Sequence, residues 1–197
     1  MNIKDLNVGF GLTGSYCTIA KVLPVIEEIV ASGARVIPVI NESINEVENR
    51  FGCSREWKTQ IENITGEEIL QTIEEVEPLG PNNTLDIFII APCTGNTMAK
   101  LSRGITDSPV LMTAKLQFRN RKPVLAAIST NDGLGINAIS LGYLLNFKHV
   151  FMVPFAQDSP EYKPNSLVAR MDLVIPAMLA ALENRQMQPI ICNQLGI

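Results

Sequence analysis

Five apolar runs of strand length punctuate the chain: Leu6 to Phe10, Arg35 to Ile40, Leu85 to Ala91, Pro123 to Ile128 and His149 to Val153. Each is nearly continuous in apolar residues rather than alternating, the pattern of strands covered on both faces. Helical periodicity fills the intervals. Ile19, Val22, Leu23, Ile26 and Val30 recur at helical spacing within Ser15 to Ala31, and Gly33 follows as a stop. Residues 54–84 hold two amphipathic candidates, with Thr65 and Glu68 spaced as a capping box at the start of the second, before Pro78, Gly80 and Pro81 break the chain. Further helices are expected over Ser108 to Arg119, Ile136 to Asn146 and Ser166 to Leu182, the last kinked or restarted at Pro176, and Gln188 to Cys192 as a short edge strand. The alternation predicts an α/β fold, a doubly wound parallel sheet of about five or six strands in three layers, α/β/α, with residues 1–197 as a single domain. In such a sheet, ligands bind in the crevice at the carboxyl ends of the strands.

Composition narrows the chemistry. Sixteen Lys+Arg against 20 Asp+Glu leave a net charge of −4, without the basic excess of a phosphate-tracking protein, so no nucleic acid partner is expected. The single histidine, His149, cannot build a multi-histidine metal site, and Cys17, Cys53, Cys93 and Cys192 form no CxxC pair, so no metal is expected either. Scattered cysteines read as reduced thiols of a cytoplasmic protein. Lys4 and Asp5 run straight into the first strand, so neither a leader peptide nor a membrane span is expected. His149 is expected to do structural work at a strand start.

Three strand ends are rich in groups that could hold a ligand. The first strand ends in Gly9-Phe10-Gly11-Leu12-Thr13-Gly14-Ser15 and feeds a helix, whose free amides and positive dipole end suit a phosphate. The same stretch has the GxGxxG spacing of dinucleotide sites, but the second strand ends in Asn41-Glu42-Ser43, with an acidic residue only late. A plain glycine-rich turn with a serine cap is the other reading. The third strand runs into Ala91-Pro92-Cys93-Thr94-Gly95-Asn96-Thr97, more polar groups than a helix cap requires and suited to the carbonyls and N–H groups of a flat heterocycle. Cys93 reads either as a nucleophile or as a small buried residue at a strand end. After the fourth strand comes Ser129-Thr130-Asn131-Asp132-Gly133, which alone is an ordinary turn signal.

Taken together, these stretches resemble the flavoprotein family of the phosphopantothenoylcysteine decarboxylases, lantibiotic cysteine decarboxylases and flavin prenyltransferases. Gly11-x-Thr13-Gly14-Ser15 is similar to the family's FMN phosphate loop, and residues 91–97 followed by Ala99-Lys100 resemble its Pro-x-Ser-Ala-Asn-Thr motif, with Thr94 for Ser and Gly95 for Ala. Gly104-Ile105-x-Asp107-Ser108 continues the match. Asn131 stands for the asparagine of the Pro-x-Met-Asn-x-x-Met-Trp motif, whose other members are replaced by Ile128, Thr130, Leu134 and Gly135. Pro78 occupies the position of the decarboxylases' histidine, which argues against decarboxylation by that route. A narrower resemblance, to the B-subunit family of the dipicolinate synthases of spore-forming bacteria, is carried by residues 8–18, 77–81, 106–112, 127–132, 153–158 and 163–171.

That resemblance implies FMN as cofactor, bound by Gly11, Thr13, Gly14, Ser15, Ser43, Pro92, Thr94, Gly95, Asn96, Thr97, Ser129 and Asn131. It also implies a partner A subunit carrying NADP or NAD, a small dicarboxylate substrate oxidised from dihydrodipicolinate to dipicolinate during sporulation in the mother cell, and homo-oligomerisation. No catalytic residue is assigned. A dicarboxylate calls for a cation, and Arg170 is the first candidate, with Lys163, Lys100 and Arg103. A non-catalytic scaffold with a vestigial phosphate pocket stands as the alternative.

Overall fold

The computed structural model describes residues 3–14, 16–41 and 54–193. Its strands are β1 (Asn7–Leu12), β2 (Arg35–Ile40), β3 (Ile87–Cys93), β4 (Val124–Thr130), β5 (Val150–Met152), β6 (Phe155–Ala156) and β7 (Leu167–Ala169). Its helices are α1 (Tyr16–Ala31), α2 (Ser54–Thr65), α3 (Ile73–Val76), α4 (Gly95–Ser102), α5 (Pro109–Arg119), α6 (Ala138–Leu145) and α7 (Val174–Leu182). Among the described residues, no helix is long and apolar enough to cross a membrane.

The five strands expected from the apolar runs form the parallel part of the sheet, in the order β2-β1-β3-β4-β5. All seven residues of β3 are buried, and every residue of β1 after Asn7, which is why these runs do not alternate. On one face α1 and α7 touch each other and β3; on the other, α5 packs across β2, β3 and β4 beside α4. Phe10 and Phe88 are fully buried in the core, each contributing about 1.5–3 kcal/mol by the transfer of its ring from water. Because β2 lies on one side of β1 and β3 on the other, the chain changes direction between β1 and β3. That places the ligand crevice of this sheet type outside their carboxyl ends.

The C-terminal third departs from expectation. Instead of one helix over 166–182, the chain forms β7, a turn of 3₁₀ helix at Met171–Leu173, and then α7, with Pro176 in its first turn, where a missing N–H leaves no bond unmade. The sheet is therefore mixed. β4 shares one edge between two partners: Val124, Leu125 and Ala126 pair with parallel β5, while Ser129 and Thr130 pair with antiparallel β7. β6 then pairs with β7, and the Gln188–Cys192 segment meets β6 only at Ile191 opposite Phe155. The capping box lies elsewhere too. Thr65 ends α2, and the reciprocal pair is Thr72 and Glu75 at the start of α3.

Gly9 and Gly11 lie two apart on β1 and so share a face. A Cβ on Gly9 would stand 2.5 Å from Leu85 Cδ1 and 2.8 Å from Phe88 Cδ2, and one on Gly11 would stand 2.6 Å from Phe88 Cζ. Two of the three glycines in the dinucleotide-like spacing therefore serve the packing of Phe88. Gly9→Val is expected to lower the unfolding free energy by about 1–3 kcal/mol through overpacking, read as a fall in the urea midpoint; a wild-type midpoint would contradict this packing.

Candidate ligand site at the carboxyl edge of the sheet

β1 and β3 end side by side, and one side chain ties their loops together. Thr13 is 1 % exposed; its hydroxyl donates to the Pro92 carbonyl oxygen at 2.7 Å and accepts from the Thr94 N–H at 3.1 Å. A hydroxyl used on both sides is not free for a ligand, so any contribution of Thr13 to anion binding comes through its backbone. Gly14 follows, half-buried, at the start of α1. Ser15 and Ser43, both expected at the phosphate, lie outside the described residues, as does Glu42.

The second loop turns through a cis Ala91–Pro92 bond into α4. Thr94 is the N-cap, accepting from Thr97 N–H at 3.3 Å, with the two threonine hydroxyls 2.9 Å apart. Thr94 and Thr97 are thus occupied in building the helix start. Asn96, in the first turn, is exposed and has no hydrogen-bond partner among the described residues. Cys93 is fully buried in β3, and burial pushes its thiol up to about 12. A thiol so held carries no thiolate at neutral pH, which removes the nucleophile reading.

The third loop is held by residues that the turn signal concealed. Asp132 accepts from the Thr130 hydroxyl and, at 2.9 Å, from Asn137 Nδ2, while its carbonyl oxygen takes the N–H groups of Gly135 and Asn137. This knot lies against α4. A Cβ on Gly95 would stand 2.5 Å from Thr130 Oγ1, 2.8 Å from Asp132 Oδ1 and 2.9 Å from Asn137 Nδ2. Glycine replaces the family motif's alanine there because the third loop occupies the alanine's space. The antiparallel hairpin supports the loop from behind: Leu134 N–H donates to Asn165 O at 2.9 Å, and Gly133 lies on Leu167. Asn131 stays exposed without a partner among the described residues, and Ser129 is half-buried in β4. Thr130 and Asp132, two apart in a polar turn, were the available signal for this knot; the part of Asn137 had none.

The four cation candidates all have partners. Arg170 forks onto Asp172 with 2.9 and 2.7 Å bonds, which hold the Asp172 carboxyl below its ordinary value. It also lies three residues on from Leu167, just past the end of β7, roughly 10 Å from the carboxyl edge. Lys163 pairs with Asp158 at 3.2 Å. Burial acts to raise the Asp158 carboxyl, but bonds from Ser166 and Lys163 outweigh it and leave the group below its ordinary value. Lys100 pairs with Asp107 at 2.7 Å, and the Arg103 guanidinium stands 5.0 Å over the Tyr143 ring. His149, with φ of 72°, precedes β5 and lines a cavity of about 560 Å³ with Leu145, Phe147, Phe151, Asn184 and Gln186. That cavity lies away from the three loops, where α6 and α7 end and present carbonyls instead of amides, a poor setting for a phosphate.

The sequence model of the flavoprotein family matches residues 1–159. The chain belongs to the flavoprotein family. Among its relatives, the B subunit of dipicolinate synthase from Bacillus subtilis is 49 % identical over 190 residues, 96 % of this chain and 95 % of that protein. The crystal structure of the dipicolinate synthase B subunit from Bacillus halodurans is 46 % identical, with a TM-score of 0.91 over 99 % of this chain and 100 % of that one. The FMN-dependent cysteine decarboxylase SpaF, 17 % identical with a TM-score of 0.68 over 92 % of this chain and 97 % of its own, shares the flavoprotein fold.

Two outcomes follow from this geometry. Thr13→Val leaves the Pro92 carbonyl and the Thr94 amide unpaired in the interior and is expected to cost about 1–3 kcal/mol by chemical denaturation, with Thr13→Ser close to wild type; equal stability of all three would contradict the tie. Peptide mapping after iodoacetamide at mildly alkaline pH is expected to find Cys93 unmodified in the folded protein and alkylated once unfolded. Since the unfolded thiol ionises in its ordinary range and the folded one only near 12, Cys93 favours the fold below that range, and its contribution falls as pH rises through it.

Proposed function

We propose that this chain, residues 1–197 acting as one domain, is the flavin-binding B subunit of a dipicolinate synthase. It would work in the cytoplasm of the sporulating mother cell as a homo-oligomer together with an A subunit. The near full-length identity to the Bacillus subtilis protein supports the reaction. The observation that carries the ring site is its donor set: two exposed carboxamides without partners among the described residues, Asn96 and Asn131, beside the α4 start, next to a glycine loop at the start of α1. Carboxamides and backbone amides suit the carbonyl and N–H edge of a neutral flat heterocycle, and a helix start suits a phosphate.

FMN, when bound, supplies two-electron acceptance. The Gly14 backbone and Ser15, with Ser43 after β2, would hold its phosphate; Gly95, Asn96, Ser129 and Asn131 would lie along its ring; Pro92, Thr94 and Thr97 would set the wall. Oxidation of dihydrodipicolinate removes one hydride and one proton and leaves an aromatic ring; a nicotinamide on the A subunit would serve as the final acceptor of the two electrons. The chain's residues orient the ring and exclude water, and no nucleophile is needed. The substrate's carboxylates meet carboxamides and backbone amides here, since the candidate cations are paired.

A scaffold role is the second reading, favoured by the engaged Thr13 hydroxyl and the paired Arg170. Visible absorption of the purified chain titrated with FMN separates the two: uptake of one FMN per chain, lost or weakened in Asn96→Ala, is expected, and a chain that stays colourless at saturating FMN would overturn the flavin reading. In the assay of dihydrodipicolinate oxidation with the A subunit, Asn96→Ala and Ser15→Ala are expected to reduce the rate at least tenfold.

A further inference from the structure

On the basis of the flavin reading above, we propose that Asp132 and Asn137 are positioning residues of the ligand site: clasped to Thr130, they fix the Asn131 carboxamide at a set place beside the start of α4. Thr130 is the last residue of β4, where side chains two apart share a side and the one between them faces away. Its hydroxyl donates to Asp132 Oδ1 and accepts from the Asp132 N–H at 3.4 Å. The two side chains close on each other, and Asn131 between them is left exposed.

Asn137 locks that arrangement. Its Nδ2 donates to Asp132 Oδ2 at 2.9 Å and its N–H to the Asp132 carbonyl oxygen at 3.2 Å, so one residue grips both the side chain and the backbone of Asp132. Asn137 is 8 % exposed and stands at the N-cap of α6, yet its side chain makes no capping bond to that helix. An asparagine there would ordinarily satisfy an amide of the first turn. This one is diverted to Asp132, at the expense of its own helix. Both oxygens of the Asp132 carboxylate are thereby spent inside the protein, which makes it an internal strut.

The strut bears on α4. Thr130 Oγ1, Asp132 Oδ1 and Asn137 Nδ2 all lie within 2.9 Å of the place a Cβ on Gly95 would occupy, so the third loop meets the bare backbone of the first residue of α4. The next residue, Asn96, carries the other exposed carboxamide. The clasp therefore sets the spacing between Asn96 and Asn131. Carboxamides held in place before a flat ring arrives lose little freedom on binding it, which is what such spacing supplies.

The test is FMN affinity of the full chain by fluorescence titration, with melting followed alongside. Asn137→Asp sets two carboxylates against each other and is expected to weaken FMN roughly tenfold, whereas Asp132→Asn/Asn137→Asp again faces a donor with an acceptor and is expected to recover wild-type affinity to within about threefold. Gly95→Ala, a favourable exchange for a helix by propensity, is also expected to weaken FMN roughly tenfold because its Cβ displaces the clasp; it keeps the test standing where Asn137→Asp fails to fold. Action through Asn131 is read from a double-mutant cycle: Asn131→Ala is expected to weaken FMN, and adding Asn137→Asp to it to cost less than about a further twofold. Wild-type affinity in Asn137→Asp, Gly95→Ala or Asn131→Ala would overturn the positioning role. So would losses that multiply in full in Asn131→Ala/Asn137→Asp, or an exchanged pair that melts as wild type without regaining FMN. A wild-type chain that takes up no FMN would instead overturn the flavin reading, and the positioning role with it.

Discussion

One hydroxyl joins the two halves of the crevice. Thr13 and Pro92 are 79 residues apart in sequence, and the 2.7 Å bond between them fixes where the β1 loop ends relative to the start of α4. A buried hydroxyl that both donates and accepts specifies position more sharply than apolar contact, because losing either partner strands a polar group in the interior. The Thr94 cap, the orientation of α4 and the outward direction of Asn96 all follow from that tie.

The third wall depends on the antiparallel hairpin. β4 is long enough to pair with β5 along its first half and with β7 at its end. β7 in turn rests on a loop where buried Ser166 donates to Asp158 at 2.5 Å. Asn165 and Leu167 then hold residues 133–135 against the strand. The outer edge of β5 is closed by one side chain: Gln186 accepts from Met152 N–H and donates to Met152 O, both at 2.8 Å, doing the work of a neighbouring strand.

Much of this was legible in the residues. Doubly buried strands are continuous apolar runs, so the five parallel strands could be placed within a residue or two, and the helix expected from Ser108 begins at Pro109 with Ser108 as its cap. The stretch from Ser166 to Leu182 misled because a short antiparallel strand followed by a 3₁₀ turn leaves an apolar pattern that a helix also satisfies. The glycine spacing misled for a different reason: Gly9 and Gly11 answer to Phe88, a contact 77 to 79 residues away that no local pattern contains. The pairings of Arg170, Lys163 and Lys100 were equally out of reach, since a charge reads alike whether or not a carboxylate lies beside it. The family resemblance located the loops, and the structure separated the side chains that build them, Thr13, Thr94 and Thr97, from those left facing outward, Asn96 and Asn131.

A single ligand site built from the loops after β1, β3 and β4 is tested most directly by backbone amide NMR of the full chain during addition of FMN. Shifts are expected to concentrate in residues 11–14, 93–97 and 129–137, with the amides around His149 and Gln186 unmoved. Shifts centred on the cavity below β5, with the three loops silent, would contradict it.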